Sequence, residues 1–290
     1  MSEKITVLVH GASGTQGASV VRRLLADGHS VVATMRNPDG ASLPDGVKAV
    51  SSDLNDVDSL VRAYSDVGAV VVQLPLEFSP ERAVPQAESV LQALKRAGVK
   101  RAVFNGNGPL APAPVGVPYV DARVTLAQSL GDHVPHAAVV NPAGPYMENL
   151  AGAWQVAGIQ RDRVIRYPIP PQAPVPWVAL DDVAAVIAES LVAEEAGAVS
   201  VTGPEPLTGL QVAEHISAAV GFDVRWEPIT PQEHARLTTP YLGEEAALGV
   251  ASLYEARRNA PPVQPSGEIR SGTTRLSQWV TGQNWQSRVA

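Results

Sequence analysis

Residues 5–17 read ITVLVHGASGTQG, and this stretch decides the fold. Ile5 to Val9 are all apolar or β-branched, with no polar alternation, which predicts a strand covered on both faces. Gly11, Gly14 and Gly17 follow at three-residue intervals, and the helical pattern ASVVRRLLADG begins immediately after them. A glycine turn that leaves a first strand and opens a helix is a device for holding a pyrophosphate. Gly11 permits the tight turn, a missing Cβ in the middle lets backbone N–H groups approach the phosphates, and Gly17 lets the helix pack on the strand. The helix N-terminus adds a partial positive charge. Ser13, Thr15 and Gln16 share this loop and are counted with the cofactor-binding residues. The alternative is a tight strand–helix turn with no ligand.

Outward from this loop, the first 105 residues alternate strand and helix patterns. HSVVATMR, GVKAVSSD, GAVVVQLP and KRAVFN read as strands two to five, and HAAVVNP as a sixth. DVDSLVRAYSDV reads as a helix with Asp56 at its N-cap, and ERAVPQAESVLQALKRAG as one closed by Lys95, Arg96 and Gly98. YVDARVTLAQSLGD is a further helix behind the proline-rich loop 108–118. Apolar strands separated by helices imply a Rossmann-type, doubly wound parallel sheet. Past Pro142 the pattern loosens. NPAGPYMENL and RYPIPPQAPVPW read as loops, the second with five prolines between 168 and 176. ALDDVAAVIAESLVAEEAG is a helix with Asp181 and Asp182 read as an N-cap pair, AVSVTG a strand, TGLQVAEHISAAVG a helix and FDVRWEPI a strand. YLGEEAALGVASLYEARRN and TRLSQWVTGQNW look helical. The expected division is a nucleotide-binding domain at 1–153, with 177–203 returning to the sheet, and a smaller α/β substrate-side lobe at 154–176 and 204–290.

The choice of dinucleotide rests on the end of the second strand. An NAD site places an acid there for the ribose hydroxyls. Here VVATMRNP puts Arg36 and Asn37 at that place, with no acid before Asp39. A guanidinium suits a 2′-phosphate that a carboxylate would repel, which favours NADP(H). The alternative is that Arg36 is a solvated strand-end charge. Asp53, with Leu54 beside it, is placed to accept from the adenine amino group or to start a helix. Gln73, Leu74 and Pro75 end the fourth strand, Asn105, Gly106 and Asn107 the fifth, and Pro142 the sixth. These carboxyl ends are where α/β sheets bind ligands.

HGASGTQGASVVRRLLADGHSVVATMRNP resembles the opening of NmrA-like proteins, a branch of the atypical short-chain dehydrogenases/reductases. The likeness continues in SSDLNDVDSL, LQALKRAGVKRAVFNG, NPAGPYMENL, VSVTGPEPLTGLQVAEHISAAVG and RLSQWVTGQNW, so it covers nearly the whole chain. The resemblance implies NADP(H) on a Rossmann domain and a small C-terminal lobe closing a substrate cleft. It also implies two jobs: reductase, or redox-sensing regulator that binds a protein partner.

Short-chain reductases use Tyr-x-x-x-Lys, in which the tyrosine gives the proton and the lysine holds the nicotinamide ribose. Here Tyr119 and Arg123 have that spacing on one helix face. Arginine keeps the charge of the family's lysine but not its geometry. The helper serine at the end of strand five is replaced by NGNG, so Asn105 or Asn107 is left to polarise a carbonyl. Tyr146, and after it Tyr167, are alternative proton donors in the substrate lobe. The competing readings make Tyr119 a packed helix-start aromatic and Arg123 a surface charge.

The 290 residues carry a net charge of −7, which argues against nucleic-acid binding over the whole surface. There is no cysteine and no clustering of the histidines, so no metal site is expected. His10 reads as a packed strand-end residue. GxSxG and GxxxxGKS motifs are missing, which leaves serine hydrolase and kinase readings without support. No run of about 18 apolar residues occurs, so no membrane span and a cytoplasmic setting are expected. The expected function is NADPH-dependent hydride transfer to a C=O, C=C or C=N bond of a small, largely apolar molecule. The alternatives are a non-catalytic NADP(H) sensor with a protein partner, and non-redox chemistry on the same fold. A homodimer is left open.

Overall fold

In the computed structural model, which describes residues 4–39, 41–258 and 265–286, β1 (Thr6–His10) runs straight into the glycine turn and α1 (Thr15–Ala26). There follow β2 (Ser30–Met35), β3 (Lys48–Ser51), α2 (Val57–Tyr64), β4 (Ala69–Val72), α3 (Ala83–Arg96), β5 (Arg101–Asn105), α4 (Pro118–His133) and β6 (His136–Pro142). Beyond β6 come a 3₁₀ turn at Met147–Ala151, α5 (Ala153–Asp162), β7 (Val164–Tyr167), α6 (Leu180–Val192), β8 (Ala198–Thr202) and α7 (Gly209–Val220). The chain closes with β9 (Arg225–Pro228), α8 (Pro231–Leu242), α9 (Glu244–Arg258), β10 (Glu268–Ser271) and α10 (Leu276–Trp279).

The chain forms two compact units. The first comprises 1–142, 180–201 and 265–270, and the second 143–179, 202–264 and 271–290. The main sheet has eight strands in the order β10-β8-β6-β5-β4-β1-β2-β3. From β8 to β3 every neighbouring pair is parallel. The order reverses between β1 and β4, the switch point that opens a crevice at the strands' carboxyl ends. All four residues of β4 are buried, as a strand covered on both faces requires. On one face Leu8, Val70, Val72 and Phe104 pack with Leu60, Val90, Leu94, Leu126 and Leu130 of the helices. On the other, α1 packs against α6. Asp56 caps α2 as its position predicts, accepting from the Asp58 and Ser59 N–H groups at 2.9 and 3.1 Å.

The second unit is built on a two-stranded parallel sheet of β7 and β9. Its core is aromatic-rich, with Tyr167, Trp177, Trp226, Trp279 and Trp285 all buried. Four elements depart from the sequence reading. The stretch 164–167, read partly as loop, is β7, and α5, α8 and β10 carry no expectation at all. Asp181 and Asp182 fall in the first turn of α6 rather than at its cap.

Candidate functional site

A cleft of about 360 Å³ opens at the carboxyl ends of β1 to β4, lined by residues from all four strand ends and by Gln86 of α3. Its floor is the glycine loop. Gly11 has φ +61, the left-handed region where a Cβ is costly. A Cβ on Gly17 would lie 2.1 Å from the Gly11 carbonyl oxygen, so only glycine lets α1 lie this close to the turn. A Cβ on Gly14 would meet the same oxygen at 3.3 Å, a milder restriction, and Gly14 serves as the α1 N-cap, with no side-chain cap and no acid in the first turn. The first amides of a helix have no intrahelical acceptor. Here the N-cap residue offers them no side chain, and the dipole's positive end makes the turn a seat for an anion.

Arg36 stands on the cleft wall past β2, exposed. Neighbouring Asn37 accepts from the Asp39 N–H at 3.2 Å, a local turn. Thr34 and Ser52, both buried, are hydrogen-bonded to one another on the same wall. Asp53, expected at the adenine, has its Oδ1 engaged by Asn55, from the backbone N–H at 2.9 Å and from Nδ2 at 2.8 Å. Leu54, Leu74 and Pro75 supply apolar lining, and the Gln73 side chain lies beside Gly11. Glu77, also on the wall, is held by Arg82 through bonds of 2.6 and 3.0 Å, which keep its carboxyl below the usual range.

From the glycine loop a chain of amides runs to α4. Asn105 Nδ2 donates to Gln16 Oε1 at 3.2 Å, Gln16 Nε2 to Asn107 Oδ1 at 2.6 Å, and Asn107 Nδ2 to the Tyr119 hydroxyl at 2.9 Å. Asn107 takes φ +52, a conformation that asparagine tolerates better than most residues. The Tyr119 ring is buried against Phe78, centroids 5.1 Å apart, with the Arg123 guanidinium 5.2 Å from its centroid. Arg123 is not a surface charge. It is 4% exposed, and it donates from Nε to the Gly106 carbonyl at 2.5 Å and from Nη2 to those of Gly108 and Pro109 at 2.6 and 3.2 Å. These bonds clamp the loop that carries Asn107. At the end of β6, beside Pro142, Asn141 is 2% exposed and neither of its amide atoms has a partner. A Cβ on Gly106 would meet its Oδ1, so this pair depends on the glycine.

His10 is packed at the strand end, as its position predicts, and it also lines the cleft. Its Nε2 pairs with the Tyr64 hydroxyl at 2.8 Å. Burial lowers its pKa from 6.5 to about 4, against a smaller opposing effect of the Gln73 backbone, and the same burial pushes Tyr64 up. A histidine that stays neutral when folded but protonates when unfolded contributes stability above pH 6.5 and loses it as pH falls toward 4. Between pH 7 and pH 5 the loss from His10 is expected to be about 2 kcal/mol, at 1.36 kcal/mol per pH unit. Urea midpoints across that range should fall more steeply for the natural chain than for His10→Gln. Equal slopes would refute the assignment.

Tyr146 and Tyr167 belong to the second unit and are both buried. Tyr167 accepts from Tyr254 at 2.9 Å and from Asn149 at 3.3 Å, and burial raises its pKa well above 10, so it holds its proton firmly. Among the described residues no three His, Asp or Glu side chains group as metal ligands, and no helix is long and apolar enough to cross a membrane. The residues that sequence reasoning missed are Gln86, Asn55 and Asn141. Each is a neutral amide, Gln86 in a helix, Asn55 in a turn and Asn141 in a strand, with nothing in its spacing to mark it.

The sequence pattern described as the NmrA-like family matches residues 3–271. An NAD(P)H azoreductase of Xenophilus azovorans is 31% identical over 275 residues, covering 91% of this chain and 90% of that protein. A Citrobacter sp. triphenylmethane reductase, solved with NADP(H), superposes with a TM-score of 0.78 at 20% identity, over 94% of this chain and 98% of that one. NmrA, a negative transcriptional regulator, gives 0.66 at 19% identity, over 98% and 99%.

Proposed function

Since the chain belongs to the NmrA-like family, we propose that it is an NADPH-dependent oxidoreductase acting on a small, largely apolar molecule. The observation that carries this reading is the cradle of the first unit. The Gly11–Gly17 turn, the uncapped start of α1 and the cleft of about 360 Å³ at the switch point suit a dinucleotide, and Arg36 stands where an NAD site has an acid. The α1 amides would take the pyrophosphate, Arg36 the 2′-phosphate, and Leu54 and Pro75 the adenine faces. Asn141, with both amide atoms unpartnered, fits a carboxamide at the end of β6. The bound cofactor supplies a hydride for a C=O, C=C or C=N bond, or for an azo bond like the one the Xenophilus relative is named for.

Tyr119 is the proton donor that the first unit's geometry supports best. Asn107 fixes its hydroxyl, and the amide chain ties that hydroxyl to the glycine loop. Arg123 serves this arrangement by holding the Gly106, Gly108 and Pro109 carbonyls in place. The sensor reading is favoured by one observation: the position of the family's lysine is filled by a guanidinium whose Nε and Nη2 bond backbone carbonyls.

The deciding experiment is a calorimetric titration with NADPH, NADP⁺ and NADH, followed by turnover on azo, quinone and enone compounds. NADPH is expected to bind at least about tenfold tighter than NADH, since one charge-assisted contact contributes about 1.5–3 kcal/mol. Arg36→Ala should remove that preference and leave NADH affinity within about twofold. Equal losses for both cofactors would reject the 2′-phosphate role. NADPH binding without turnover on any compound would leave the sensor reading standing.

A further inference from the structure

The nucleotide cleft holds a polar group for which the fold provides no partner. Gln86 lines the cleft, is 6% exposed, and its Oε1 is buried without a hydrogen bond. Its Nε2 donates to Asn55 Oδ1 at 3.2 Å. Asn55 in turn donates its Nδ2 to Asp53 Oδ1 at 2.8 Å.

The direction of this relay is fixed by its first member. An ionised carboxylate accepts and cannot donate. Asn55 must therefore turn its NH₂ toward Asp53, which leaves its oxygen facing Gln86. Gln86 must answer that oxygen with its own NH₂, and so its Oε1 is left as an acceptor. A buried acceptor without a donor carries a desolvation cost that the relay cannot relieve and a ligand can. The ligand group must be a donor on the edge of a body that suits the apolar lining of Leu54, Leu74 and Pro75.

Resting on the dinucleotide reading above, we propose that Gln86 is the residue that reads the exocyclic amino group of the adenine, and that Asp53 acts one step behind it as the latch of the relay. This gives the adenine end a specificity element on α3, away from the glycine loop. A 6-oxopurine would oppose its own acceptor to Gln86 Oε1, a juxtaposition that discriminates by repulsion as well as by a lost bond.

The test compares NADPH with its hypoxanthine counterpart, in which the adenine amine is replaced by a carbonyl, by calorimetric titration. The natural chain is expected to prefer NADPH by at least about tenfold. Gln86→Met, close in shape but unable to accept strongly, should bring the two within about twofold while keeping the preference for NADPH over NADH. Gln86→Leu serves the same purpose should the methionine variant fail to fold. Asp53→Asn removes the acceptor-only anchor and should lower the ratio while NADPH still binds. A ratio near one in the natural chain, or a ratio preserved in Gln86→Met, overturns the proposal. Preservation in Gln86→Met with loss in Asp53→Asn would give the amine to Asp53 directly. Failure of the natural chain to bind either dinucleotide would take down the cofactor reading itself, whereas equal binding of both takes down only the role of Gln86.

Discussion

Gly17→Ala is expected to weaken NADPH binding by about 10- to 100-fold and to lower stability by about 1–3 kcal/mol. The added Cβ would lie 2.1 Å from the Gly11 carbonyl oxygen, 2.5 Å from its carbon and 2.9 Å from Ala12 Cα. All three are backbone atoms, so no rotamer relieves the clash and the start of α1 must move off β1. That motion displaces the amides proposed to hold the pyrophosphate, and so stability and affinity should fall together. Gly131→Ala in α4 is the control, since nothing lies within 4 Å of its added methyl. It should be neutral or stabilising by up to about 1 kcal/mol. Thermal unfolding and NADPH titration on both variants check the pair. Affinity in Gly17→Ala within twofold of the natural chain would end the pyrophosphate reading of the loop.

Arg123→Ala should cost about 3–5 kcal/mol in the absence of any ligand, because it strips hydrogen bonds from three backbone carbonyls of one half-buried loop and removes a buried side chain. Arg123→Lys should recover less than half of that, since one ammonium cannot reproduce a planar fork that serves three acceptors. A ribose-binding role predicts a different outcome: unchanged urea unfolding, a raised KM for NADPH, and good rescue by lysine. Denaturation of the ligand-free protein therefore separates a residue that builds the loop from one that touches the cofactor. Should stability be lost as expected, the Tyr-x-x-x-Arg spacing is a feature of loop architecture, and turnover must be apportioned among Tyr119, Asn107 and Asn105 by their own variants.

Where periodicity was continuous, the sequence was legible. The run of apolar strands, the glycine triplet and the Asp56 cap all reappear in the structure at the expected places. Three of the four elements that escaped reading show why. Helix α8 opens with a full capping box, Thr230 with Glu233 behind Pro231, yet it contains Pro240, which reads as a breaker. Helix α5 carries Gly158 and ends on Arg163 in the left-handed conformation, φ +56, where a glycine signal would be sought. Strand β7 is four residues running into a proline-rich segment, and it exists because β9, some 60 positions later, pairs with it. At the site, residue types were legible but commitments were not. The i, i+4 spacing of Tyr119 and Arg123 is real, while the carbonyls that absorb the guanidinium belong to a loop whose path no spacing reveals. Gln86 is invisible for the same reason, since its chemistry arises only from the amide that reaches it from Asn55.

Strand β10, at one edge of the main sheet, has a bearing on how the chain matures during synthesis. Its neighbour β8 ends at Thr202, and β10 spans Glu268–Ser271, so more than sixty residues separate the two partners. The join is specific. Ser200 Oγ donates to the Ser266 carbonyl at 2.8 Å and accepts from the Ser266 N–H at 3.0 Å, Gly267 sits where a Cβ would meet the Ala198 carbonyl, and Arg270 pairs with Glu189 at 2.9 Å. At about 5–20 residues per second, a ribosome needs roughly 3–14 seconds to deliver β10 after β8 has emerged. Throughout that interval β8 is a bare edge with unpaired amides, the kind of surface on which nascent chains associate. A message truncated between these strands would leave that edge open permanently. Strand β10 thus acts as a late seal, and synthesis past Ser271 is the condition for covering the edge of β8.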